Sequence, residues 1–468
     1  MESYMVEIKP VPWAHDKMNR QGVSRFITRY LDNNPDVKVL NINAPWGAGK
    51  TFFLTNWRDE LSMSRACIYF NAWENDYSGD PFIALTSIIH DGLGELIGSK
   101  EQAVAKLEGF RRQASKAIIA ATPVIAKGIL KKVTGVEVAA LTDAVEKESV
   151  AEAAEVALDN LLKSNQDTLK VIAGFKKKFS ELAASAAKNQ AKSKEGKVLP
   201  LYIFIDELDR CRPTYAIELL ERIKHFFDIE NCKFIIATDT EQLKHSVGAV
   251  YGAGFGAERY LKRFFDAEYS LDYSDLDRWV STLNFDVRPV RDSPIVTVYA
   301  GRPRWEEQRH TAPNNSAVLA GDYGLAKEQI IILAVAKTFR IKPRELEKCY
   351  RHLCAIASVM SVSKFDLFWG WYLVVLKDEA PDYYDQFVRR NDGSDWESFR
   401  KKYPPAGFYV GNENIDVHAL FQMYNRCCHR GKARFDKQFR NEFSGSDVSD
   451  YVLSGFLEGA AAKTECNT

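Results

Sequence analysis

The sequence predicts an α/β fold built on a parallel sheet, and three observations carry that expectation. Short runs of β-forming residues, "VKVLNINA", "ACIYFNAW", "PLYIFIDELD" and "CKFIIATDT", are nearly continuous in apolar side chains, as strands buried on both faces are. Stretches of helical spacing separate them, giving two β-α-β units. The glycine-containing stretch "APWGAGKT" joins the first strand to its helix, the place where successive backbone N–H groups converge on an anion.

The elements follow in order. In "DKMNRQGVSRFITRYL", Met18, Val23, Phe26, Ile27 and Leu31 recur at helical spacing and predict a lead-in helix. The first strand, the loop, a helix over about 50–61 and the second strand come next. After the helix-like "DPFIALTSIIHDGLGELIG", residues 100–197 are rich in Ala, Lys and Glu and poor in aromatics, and they read as a helical insert. Its excess of basic over acidic residues suits a solvated helical face; "FKKKF" and "KNQAKSKEGK" are where nucleic acid or an anionic lipid would be met. The second β-α-β unit has "TYAIELLERIKHFF" as its helix, and "DAEYSL" supplies a fifth strand. A boundary is expected near residue 272, before a polar stretch over 286–315. The domain reading is therefore a core of residues 1–99 and 198–271, the insert 100–197, an irregular region 272–327 and a mainly α-helical C-terminal region 328–468.

Bulk properties narrow the class. A chain of 468 residues is too long for one core. Apolar residues make up 46% and charged ones 27%, which excludes wholesale disorder and a membrane bundle. Lys plus Arg equals Asp plus Glu at 63 each, so no overall field draws the molecule to nucleic acid or a bilayer. A span needs ~20 apolar residues; "AIIAATPVIA", interrupted by Pro123, and "LFWGWYLVVL" are both too short. The start "MESYMVEIKPVPWAHD" lacks the pattern of a secretory signal, so a cytoplasmic location is expected. Eight cysteines without a CxxC pair read as reduced structural thiols. Cys427, Cys428 and His429 would share a metal with Cys349, His352 and Cys354 only if the fold gathered them.

The chemistry concentrates in two motifs. In "APWGAGKT", Gly47 and Gly49 let the backbone approach phosphate closely, Lys50 reaches the β- and γ-phosphates, and the Thr51 hydroxyl ligates Mg2+. The whole loop, Ala44, Pro45, Trp46, Gly47, Ala48, Gly49, Lys50 and Thr51, is the nucleotide-binding candidate. Ala44 stands where the strict motif has its first glycine, a methyl-sized change. The apolar strand "LYIFIDELD" ends in Asp206, assigned to the metal, and Glu207, assigned to polarising or deprotonating water, because phosphoryl transfer asks mainly for positioning and charge compensation. Thr238 and Asp239 have two readings, as sensors of the γ-phosphate or as a cap on the helix starting at "TEQL". Arg259, Lys262 and Arg263 in "ERYLKRFF" and Arg344 in "IKPRELEKCY" are candidates for a charge-neutralising finger, or are surface ion-pair partners.

With both motifs placed, the chain resembles the KAP family of P-loop NTPases. The resemblance rests on "APWGAGKT", "YFNAWEND", "IDELDRCRP", "ATDTEQL" and "KPRELEKC" in this order, covering residues 16–75 and 199–271 well and 328–380 more weakly. Its most specific part is "LDRC". Family members often have Asp-Asp where this chain has Asp206-Glu207. The resemblance implies a P-loop NTPase of the additional-strand class. It implies an ATPase using ATP and Mg2+, acting as a homo-oligomer or with an effector protein, in a bacterial anti-phage setting. Many relatives insert transmembrane helices where this chain has its Ala/Lys/Glu segment, so their membrane association is not expected here.

Three functional readings follow. The first is Mg-dependent ATP hydrolysis coupled to conformational change or assembly. The second is an ATP-gated scaffold or sensor that binds a protein partner while hydrolysis is slow or incidental. The third, direct nucleic-acid handling, has the balanced charge against it.

Overall fold

A computed structural model describes residues 11–98, 101–121, 147–190, 199–283, 325–359, 367–410 and 413–430. The polar stretch 286–315, the second half of "AIIAATPVIA" and the side chains of Cys427, Cys428 and His429 lie outside the described residues. The chain divides into two compact units, Met1–Trp46 with Lys50–Leu271, and Gly47–Gly49 with Asp272–Thr468.

The first unit is organised by five strands, β1 (Val39–Asn43), β2 (Cys67–Asn71), β3 (Leu201–Asp206), β4 (Cys232–Thr238) and β5 (Ala267–Ser270). They pair in parallel in the order β2-β3-β4-β1-β5. β4 thus lies between the strand leading into the loop and the strand ending in the acids, which is the additional-strand arrangement. Burial follows position. β3 and β4 are buried at every residue, whereas the edge strands β2 and β5 alternate, as strands with one neighbour do. Asn43 pairs with Thr238, and Asn71 with Asp206, so the polar strand ends share one edge of the sheet.

Helices cover both faces. Leu201, Ile203 and Ile205 belong to the core cluster on one face, while Phe204 packs against Trp57 of α2 (Lys50–Ser62) on the other, with ring centroids 5.3 Å apart. The lead-in helix α1 spans Arg20–Asn33, and the four-residue α3, Ala72–Asn75, follows β2 directly. On the first face lie α4 (Pro81–Ile97) and the insert helices α5 (Glu101–Ala121) and α6 (Lys147–Gln190), with α7 (Pro213–Phe226). Phe82, Phe110, Phe175, Phe179, Phe226 and Phe227 interlock there, with centroids between 4.5 and 6.3 Å. Phe175 and Phe179 are the ends of "FKKKF". One helical turn apart, they share the buried face and leave Lys177 in solvent. The insert is therefore welded to the sheet domain by its few aromatics.

The second unit is mainly helical. Helices Lys327–Phe339, Leu367–Glu379 and Val417–Arg430 and the antiparallel hairpin β6 (Gly407–Val410) and β7 (Glu413–Asp416) enclose an aromatic core. Tyr372 stacks on Phe421 at 4.2 Å, and Phe339, Trp396 and Phe399 pack around His418. "LFWGWYLVVL" is a buried helix, and among the described residues no helix is long and apolar enough to cross a membrane.

Candidate nucleotide-binding site

The loop leaves β1 at Asn43 and enters α2 at Lys50. Gly47 and Gly49 take φ of 83° and 86°, the left-handed region that side chains disfavour. Ala44 does not share that conformation. Its N–H bonds Thr238 O at 3.0 Å and its methyl is buried. A residue with a Cβ fits the position, which gives the physical reason alanine replaces glycine there.

Lys50 is nearly buried and its ammonium donates to Ala44 O at 2.7 Å. It also faces Asp209 Oδ2 at 3.4 Å. That oxygen accepts from the Trp46 indole at 2.5 Å and from the Asp239 backbone N–H at 3.1 Å. Asp209, in "LDRC", thus ties the loop lysine, the loop tryptophan and the end of β4 together. Reading the motif for metal and water did not single it out. The signal was available as an acid one 3-10 turn beyond Asp206.

Asp206 is fully buried. Its Oδ1 accepts the Glu207 N–H at 2.8 Å, its Oδ2 accepts the Tyr69 hydroxyl at 3.0 Å, and the Thr51 hydroxyl also donates to it. Burial raises its pKa, partly opposed by these three neutral donors. A buried carboxylate supported, among the described residues, by neutral donors, beside a threonine hydroxyl, is a hard-oxygen set that suits Mg2+. A cation bound there would offset the desolvation that raises the pKa.

Glu207 adopts the left-handed conformation, φ 59°, at the start of the 3-10 turn Leu208–Arg210. Its Oε1 pairs with Arg210 Nη1 at 2.8 Å and its Oε2 accepts from Asn71 Nδ2 at 3.3 Å. Arg210 lies over the Trp73 ring, 5.5 Å from its centroid. Next along the chain, the Cys211 thiol is buried and Arg212 grips Asp76 through its backbone N–H, at 2.9 Å, and its guanidinium.

The remaining candidates are placed as follows. Asp239 accepts from Trp46 N at 3.2 Å and caps the helix α8 (Thr240–Tyr251) through Gln242 N at 3.3 Å. Thr238 is fully buried and donates to Asn41 Oδ1 at 2.7 Å. Lys262 pairs with Glu258 at 2.7 Å, and Arg259 and Arg263 are exposed. No contact joins those three to Lys50, Thr51 or Asp206 among the described residues. Arg344 belongs to the second unit. Among the described residues no group of His, Cys, Asp and Glu gathers to hold a metal, and Cys349 and Cys354 are free thiols.

No curated protein matches the chain. The model of the KAP family P-loop domain matches residues 23–358, a span holding the loop, the acidic strand, the insert helices and the first helices of the second unit. Family membership supports nucleotide binding and hydrolysis in general terms, and the chain belongs to the KAP family of P-loop NTPases.

Proposed function

We propose that the protein binds ATP with Mg2+ at residues 44–51 and hydrolyses it, coupling nucleotide state to conformational change or assembly. The observation that carries this reading is the convergence of Lys50, Thr51 and Asp206 at the ends of β1 and β3, with Asp209 neutralising the lysine. Lys50 compensates phosphate charge, and Thr51 and Asp206 would hold Mg2+, which supplies further charge compensation. Glu207 orients and polarises the attacking water, and Thr238 or Asp239 senses the γ-phosphate. The neutralising finger comes from among Arg259, Lys262, Arg263 and Arg344. The biological setting we infer from family resemblance is cytoplasmic anti-phage defence, as a homo-oligomer or with an effector protein.

The test is steady-state ATP turnover with Mg2+ in wild type and Glu207→Gln. The variant is expected to bind ATP and lose turnover. Equal rates in the two forms remove Glu207 from the mechanism.

A specific observation also supports the reading of an ATP-gated scaffold or sensor with slow hydrolysis. Both oxygens of Glu207 are already engaged, by Arg210 and Asn71, so basal turnover is expected to be low.

A further inference from the structure

Two carboxylates follow Asp206 along one short turn, and they are drawn in opposite directions. Asp209 is held at the loop by Lys50, Trp46 and the Asp239 N–H. Glu207 is held by Asn71, the last residue of β2. In the sheet order β2 lies on the far side of β3 from β4 and β1, so the Glu207 carboxylate is pulled away from the strand that leads into the phosphate loop. Arg210 reinforces the hold from within the turn at 2.8 Å, where the two side chains are 33% and 13% exposed. Asn71 is itself fixed, because its Oδ1 caps α3 by accepting from Trp73 N at 3.1 Å and Glu74 N at 3.2 Å. That leaves its amide NH2 aimed at the glutamate.

A general base must point a lone pair at the water it deprotonates. A glutamate with one oxygen in an ion pair and the other accepting from an anchored amide is diverted from that task. We propose that Asn71 and Arg210 are positioning residues that hold Glu207 in a restrained, slowly hydrolysing state, and that departure of Arg210 from Glu207 is the activating step. This inference rests on the reading of Glu207 as the residue that activates water. Arg210 has an alternative resting place, since its guanidinium already lies over Trp73, which is 52% exposed. A cation over the face of an indole remains electrostatically favoured, so leaving the glutamate does not strand the charge.

The experiment measures Mg·ATP turnover, and the Kd of a slowly hydrolysed ATP analogue, for the full chain. It compares wild type, Asn71→Asp and Arg210→Gln, each with and without Glu207→Gln. Asn71→Asp keeps the Oδ1 cap of α3 and replaces the donor to Glu207 by a repelling oxygen. Both single variants are expected to raise kcat about tenfold, a fraction of the ~10²–10⁴ a general base contributes, with analogue Kd unchanged. Adding Glu207→Gln is expected to abolish the gain. A purely structural role would instead lower kcat and weaken binding together. Unchanged or reduced kcat in variants that still bind the analogue overturns the restraint while leaving the ATPase reading standing. If Glu207→Gln turns over as fast as wild type, or no form turns over, both fall.

Discussion

Replacing Asp209 with asparagine removes the counter-ion of the loop lysine without changing its shape. Lys50 Nζ lies 3.4 Å from Asp209 Oδ2, with side chains 9% and 1% exposed. At an effective permittivity of ~20, unit charges at this separation attract by about 5 kcal/mol. A bound phosphate must replace that attraction, and a fixed Asp209 also repels the phosphate. Asparagine still offers an oxygen to the Trp46 indole and the Asp239 N–H, so the geometry of the loop is kept. Desolvation offsets most of the gross attraction, leaving an expected gain of about 1.4 kcal/mol in nucleotide binding, a tenfold lower Kd. Without nucleotide, the same variant leaves a buried ammonium lacking its partner, which costs about 3–5 kcal/mol of folding stability. The two effects have opposite signs and separate assays. Calorimetric titration with the slowly hydrolysed analogue is expected to give tighter binding, and a thermal melt of nucleotide-free protein a lower midpoint that nucleotide restores. Unchanged or weaker binding refutes the argument that Asp209 competes with phosphate for Lys50.

Two further predictions concern the scaffold. His418 is buried, with its Nδ1 accepting from the Tyr372 hydroxyl at 2.9 Å and its Nε2–H donating to Tyr403 O at 2.7 Å; burial lowers its pKa to about 4. The unfolded chain therefore binds a proton that the folded unit refuses, and stability falls by about 3 kcal/mol as pH drops from ~6.5 to ~4. Near-UV dichroism of the aromatic core during unfolding is expected to report that loss, and His418→Gln to flatten it. Phe175→Ala is expected to cost about 3–5 kcal/mol through the cavity left among Phe82, Phe110, Phe179 and Phe227, whereas Lys177→Glu on the solvent side changes stability by about 0.5 kcal/mol or less. Urea midpoints of the two variants check this, and comparable losses in both would mean that the lysine face also carries structure.

The parallel sheet was legible because burial on both faces writes itself into the sequence as unbroken apolar runs, as in "LYIFI" and "FIIA". The edge strands carry a weaker signal, since β2 buries only alternate residues and β5 alternates between half-buried and exposed ones. The places of the loop, between β1 and α2, and of Asp206, at the end of β3, were legible because the residue types stand in a fixed spacing. The insert misled by composition. An alanine- and lysine-rich segment suits a solvated helix, yet Phe110, Phe175 and Phe179 anchor it to the core, and only three-dimensional packing brings such distant aromatics together. The partners of Asn71 and Asp209 could not be read for the same reason: Asn71 meets Glu207, and Asp209 meets Lys50, across more than a hundred residues of chain, even though the acid itself stood in view one turn beyond Asp206.

The specificity of "IDELDRCRP" now has a physical basis. The 3-10 turn and the residues flanking it send side chains to different neighbours: Asp206 to Thr51 and Tyr69, Glu207 to Asn71, Asp209 to Lys50 and Trp46, Arg210 to Glu207 and Trp73, and Arg212 to Asp76. Nucleotide binding alone requires only the first acid of that series. The others connect it to β2, to the loop and to the segment after α3, so the turn is the element through which a change at Lys50 would be felt at Glu207. The glutamate at 207 belongs to this logic. An aspartate there would draw the carboxylate back by about one carbon–carbon bond, ~1.5 Å, and open the 3.3 Å contact with Asn71 beyond hydrogen-bond range. The longer side chain is what allows the acid beside Asp206 to be held on β2, and the proposed restraint and its release are therefore properties of glutamate at this position.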